Sequence, residues 1–175
     1  MGKKGEKFNV ILSSGTATIG SADPANCQYN MGTVYNNAPA LQKYEQADSC
    51  YVKVSNFSIK YSGTQANTDN ISNILIKISS SLLNTLDNLD STKPNMENSR
   101  IIGSIPTGAS NYTYSNVDYD NEYVKVSNIF KGLLAIELTD QQGNNISDAL
   151  SSTTPYTMEL SVMYEDNEDN NNINY

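Results

Sequence analysis

From Tyr156 to Tyr164 the chain alternates without a break: Tyr156, Met158, Leu160, Val162 and Tyr164 are separated by Thr157, Glu159, Ser161 and Met163. A period of two places every second side chain on one face of a strand, so this segment is a strand with one face against a core. Weaker alternation recurs upstream, at Phe8–Leu12, Tyr29–Tyr35, Cys50–Tyr61, Ile74–Ile78, Arg100–Ile105, Tyr112–Val117, Tyr123–Phe130 and Leu133–Leu138. Turn residues separate these runs, as at Asn36-Asn37-Ala38-Pro39, Pro106-Thr107-Gly108 and Asp140 to Asn145. Such spacing predicts about eight to ten short strands and an all-β sandwich or barrel. A parallel α/β fold needs a helix after almost every strand, and the sequence has no room for them. Helical spacing is confined to Leu82, Leu83, Leu86 and Leu89, and a helical turn fits Leu41–Asp48, so at most one short helix is expected.

Within Cys50–Tyr61 the apolar residues are Cys50, Val52 and Val54, then Phe57, Ile59 and Tyr61. The phase flips at Ser55-Asn56. A strand changes faces only through an extra residue, so a bulge is expected there. Tyr51-Val52-Lys53-Val54-Ser55-Asn56 also recurs letter for letter at Tyr123-Val124-Lys125-Val126-Ser127-Asn128. Two readings stand: equivalent strands of two Greek keys, or coincidence in a narrow alphabet. The unmatched flanks favour coincidence.

At 175 residues the chain fits one domain. The organisation expected is a basic arm over 1–7 (Lys3, Lys4, Lys7), one domain over 8–164, and an acidic, Asn-rich tail over 165–175 (Glu165, Asp166, Glu168, Asp169). Net charge is −8, from 11 basic and 19 acidic residues. That balance repels phosphate backbones and argues against nucleic-acid binding. No apolar run is long enough to span a bilayer, and no export signal opens the chain, so a secreted location is not expected. Cys27 and Cys50 have neither metal nor redox spacing and are expected reduced, though their pairing stays open.

The chain has no histidine. That removes the commonest general base, the usual nucleophile triads and His-ligated metals. Glycine-rich phosphate loops are also missing. The expectation is a non-enzyme with no cofactor. Asp118, Asp120 and Glu122 space carboxylates two apart, as calcium loops do, but Tyr123 stands where that loop needs glycine. Glu137 and Glu159, on the last two strands, are the pair a carboxylate hydrolase would need side by side. Both sit opposite in parity to the apolar residues, which reads instead as outward-facing charge. Twelve tyrosines against three phenylalanines and no tryptophan suit a surface that stays partly wet. Tyr112, Tyr114 and Tyr119 join the charged termini as the expected interface residues.

The run Leu133-Leu134-Ala135-Ile136-Glu137-Leu138-Thr139-Asp140, then Gly143-Asn144, then Pro155 to Val162, resembles the closing strands of single jelly-roll capsid proteins of nucleocytoplasmic large DNA viruses and virophages. The opening Phe8-Asn9-Val10-Ile11-Leu12-Ser13-Ser14 is similar to the start of such chains. The resemblance implies a jelly roll serving as a penton or minor (cement) capsid protein. It also implies a virion location, assembly in the host cytoplasm, and partners that include a major capsid protein and further copies of itself, with a pentamer favoured. A carbohydrate- or receptor-binding sandwich, such as a fibre head, is the alternative.

Overall fold

In the computed structural model the described residues are 4–20, 23–60, 71–80, 100–107, 113–117, 123–150 and 155–165. They form nine strands: β1 (Lys4–Ser13), β2 (Asn26–Asn30), β3 (Ser49–Lys60), β4 (Asn73–Ser80), β5 (Arg100–Pro106), β6 (Thr113–Val117), β7 (Val124–Ser127), β8 (Leu133–Thr139) and β9 (Thr157–Glu165). Two antiparallel sheets result. Sheet A runs β1-β9-β3-β6, with β7 also on β3; sheet B runs β2-β8-β4-β5. The all-β sandwich read from the sequence is what the chain forms.

The pairing is nested. β4 pairs with β5, β3 with β6 and β7, β2 with β8, and β1 with β9. Except for β4–β5 and β6–β7, consecutive strands lie in opposite sheets. β9, the segment of cleanest alternation, therefore lies between β1 and β3. Its even-numbered residues face the core: Met158, Leu160 and Val162 are fully buried. From sheet B, Ile74, Ile76, Leu134, Ile136 and Leu138 close on them. Gly103 in β5 is part of this fit, because a β-carbon there would meet Val54 of the opposite sheet at 3.2 Å.

The expected bulge is present. The β3–β9 register slips between Val54 and Asn56, which lets Val54 and Phe57 both be buried. Other boundaries differ from expectation. The strand expected over Tyr29–Tyr35 ends at Asn30, and Met31–Asn36 forms the short helix α1. The Asn30 side chain accepts a hydrogen bond from the Gly32 amide at 3.1 Å, capping that helix. A 3₁₀ turn over Pro39–Tyr44 overlaps only the first half of the helical turn expected over Leu41–Asp48. β1 starts at Lys4, so the second half of the expected basic arm belongs to the sheet. The leucine run at 82–90 lies outside the described residues.

Candidate interaction face

The outward side of sheet A is built by the residues of opposite parity to the core. One row across it reads Lys7, Met163, Tyr51, Lys125, each opposite the next in register. The neighbouring row begins Asn9, Ser161, Lys53. Ser161 Oγ bonds Asn9 Oδ1 at 3.0 Å and also meets the Ser55 hydroxyl.

Tyr123, at the entrance to β7, completes this face. Its ring has the Lys53 ammonium 5.5 Å from its centroid and the Lys7 ammonium at 5.7 Å. Lys125 lies 5.6 Å from the ring of Tyr51. Lys7 is on β1 and Tyr123 adjoins β7, so the two meet only by reaching over β9 and β3. That reach accounts for the burial of Met163 and Ser161, both 8% exposed although they point away from the core.

Lys53, Lys125, Tyr51 and Tyr123 all come from the repeated hexapeptide. Its two copies pair antiparallel, with Tyr51 opposite Lys125 and Val52 opposite Val124. The register makes the copies equivalent about a local two-fold axis, which turns each lysine onto the other copy's tyrosine. The repeat, which the unmatched flanks favour as coincidence, thus has part of each copy set against the other, Tyr51-Val52 across from Val124-Lys125. Elsewhere on the molecule, Lys43, Lys77 and Lys131 form ion pairs with Glu6, Glu137 and Asp48.

The structure does not bring the two glutamates together. Glu137 is in β8 of sheet B and Glu159 in β9 of sheet A, because the chain crosses the sandwich between them. Glu137 lies opposite Lys77, with 3.9 Å between charged atoms. Partial burial raises its pKa, and Lys77 counters the rise. Both cysteines are free and buried. Burial pushes the Cys50 thiol up to about 11 and raises that of Cys27, so neither is poised as a nucleophile. No group of three or more metal-ligating side chains occurs among the described residues, and none of their helices is long and apolar enough to cross a membrane.

Of the expected interface residues, Lys7 is on this face. Lys4 and Glu165 face each other at the ends of β1 and β9, and Tyr114 pairs with Ile59 within sheet A. Lys3, Tyr112, Tyr119, Asp166, Glu168 and Asp169 lie outside the described residues, as do Asp118, Asp120 and Glu122.

A cleft of about 510 Å³ opens between α1 and the turn at Ile129–Lys131, lined by Tyr35, Glu45, Asn128 and Lys131 among others. Its central polar group is committed inward. Asn128 Nδ2 donates to the Ala47 carbonyl at 2.9 Å, and Oδ1 accepts from Phe130 N at 3.2 Å and from the Tyr164 hydroxyl at 2.8 Å. The cationic, aromatic face of sheet A is the stronger candidate site. No protein-family model matches the chain, and no curated protein does.

Proposed function

We propose that the protein is a structural subunit of a protein shell, a single jelly roll of the penton or minor capsid type that works through surface contacts. The observation that carries this reading is the nested pairing. An antiparallel ribbon closed at β4·β5 and opening through β3·β6/β7, β2·β8 and β1·β9, then divided between two sheets, is the order of pairing expected of a jelly roll and supports that reading. That plan occurs in capsid and lectin domains, so the step to a shell is an analogy of fold. The resemblance of the closing strands to capsid chains directs the analogy. The outer face of sheet A supports it as a surface for contact, since tyrosines there keep an apolar ring and a polar tip in reach of a neighbour.

The work of such a subunit is mechanical: a rigid sandwich presents the same surfaces to each neighbour, and contact area supplies the affinity. Light scattering on the purified protein tests this. A pentamer of the 19.2 kDa chain is the expected result. A monomer at every concentration that also binds immobilised glycans would overturn it in favour of the carbohydrate-binding alternative.

A further inference from the structure

We propose that β1 is the edge through which two copies of this chain join, their β1 strands pairing antiparallel about a two-fold axis at Val10. The strand lies at the end of sheet A, and among the described strands it pairs with β9 alone. Alternate residues of such a strand turn their N–H and C=O groups outward, where another strand can take them up. Among the described residues, no backbone group of Lys4–Ser13 bonds outside the β9 ladder except the Ser13 carbonyl, which accepts from the Thr16 hydroxyl at 3.1 Å.

The edge is also unguarded. Proteins blunt a free edge with charged side chains, proline or a covering segment. Phe8–Ser13 carries neither charge nor proline. The charged residues just before it are turned elsewhere: Lys7 reaches over β9 and β3 to the ring of Tyr123, and Glu6 holds Lys43 at 2.7 Å. Ile11 points away from the core and is 73% exposed, more than any other large apolar residue among those described.

A second copy fits this edge because the pattern is symmetric about Val10. A two-fold there sets Val10 against Val10, Phe8 against Leu12, and Asn9 against Ile11 of the second copy. Directly opposed residues share a face, so core side chains meet core side chains. The two Ile11 side chains lie diagonally across the seam, about 7–8 Å apart and within contact of each other. Lys7 falls opposite Ser13, and no like charges meet. A seam from Lys7 to Ser13 buries less than the roughly 1,000 Å² that a standing interface needs. Free subunits therefore associate weakly, and the contact forms where copies are held close. Its axis is a two-fold, so it is separate from any five-fold ring and does not rest on the shell reading.

Disulfide trapping tests the pairing, since the native Cys27 and Cys50 are buried. Full-length Asn9→Cys and Ile11→Cys chains are mixed in equal amounts and oxidised with diamide. They should form the mixed dimer about tenfold faster than Ile101→Cys chains dimerise; Ile101 is also on an edge strand and is 52% exposed. The mixed dimer should outnumber each homodimer by more than the twofold excess of chance pairing, because residues 9 and 11 are the directly opposed pair. A rate equal to that of Ile101→Cys would overturn the inference and leave the edge to a strand of a different protein. Homodimers at or above the chance level would overturn the two-fold at Val10. A second measurement is sedimentation equilibrium. The mass of the natural chain should rise with concentration up to the millimolar range, and Ile11→Lys, which puts a charge on the edge outside the core, should remove the rise. A flat curve for the natural chain, or a rise undiminished in Ile11→Lys, would overturn the inference.

Discussion

The Lys53 ammonium lies 5.5 Å from the centroid of the Tyr123 ring, and the local two-fold between β3 and β7 repeats the contact as Lys125 on Tyr51, at 5.6 Å. Neither pair is a sequence neighbour. Each is made by an antiparallel register that sets two copies of one hexapeptide against each other.

A double-mutant cycle measures what that arrangement contributes. Lys53→Met and Tyr123→Leu should show a coupling of about 0.5–1 kcal/mol in urea denaturation, as partly exposed cation–π pairs do. The Lys125–Tyr51 cycle should give a similar value, because the geometry is the same. A coupling near zero in both would mean that the rings serve only as apolar cover for Met163.

Asn128 ties three segments together. Its side chain bonds the Ala47 carbonyl, the Phe130 amide and the Tyr164 hydroxyl, and it is 2% exposed. Asn128→Ala leaves those groups buried without partners and should cost about 3 kcal/mol. Tyr164→Phe removes one bond and should cost about 1 kcal/mol. Chemical denaturation of both variants checks the ranking, and an equal cost would show that Asn128 acts only through Tyr164.

At the other end of β9, the hydroxyls of Tyr29 and Tyr156 share a hydrogen bond of 2.8 Å inside the core. Burial raises both phenol pKa values above 10.0, and that of Tyr164 likewise. A folded-state pKa above the unfolded one means that the stabilisation is full below pH 10 and is lost as pH rises beyond it. Alkaline unfolding should therefore coincide with phenolate absorbance from these tyrosines. Tyr29→Phe or Tyr156→Phe alone should cost about 1–3 kcal/mol by orphaning the other hydroxyl, while the double variant should cost less than their sum. Additive losses would show that the two hydroxyls act separately.

How much of this was legible in the sequence depends on how local each signal is. The strand at β9 and the bulge after Val54 were readable because alternation and its interruption are written in adjacent residues. α1 was not, since Met31, Val34 and Tyr35 follow Tyr29 closely enough to pass for a continued strand. Only the Asn30 cap, a side chain folding onto Gly32, marks the change. The outward orientation of Glu137 and Glu159 followed from parity, whereas their placement on opposite sheets required knowing that the chain crosses over between β8 and β9. Lys7 was expected at an interface for its charge. Its companions Lys53 and Lys125 were visible only as a repeat whose meaning lay in pairing across some seventy residues of chain.

The position of β9 between β1 and β3 has a consequence for how the molecule is made. On a ribosome, β1 emerges first and β9 last of the described strands, yet among those strands β1 pairs with no other. Sheet A therefore cannot close until Glu165 has been synthesised, and the apolar faces of β1 and β3 must wait for it. Contacts so distant in sequence carry a large loop-closure entropy and slow folding. The same delay exposes an unpaired ten-residue edge to neighbouring chains. Nascent copies held close together would then be most prone to aggregate just before the last strand arrives, which makes the timing of β9 the step at which chaperones matter most.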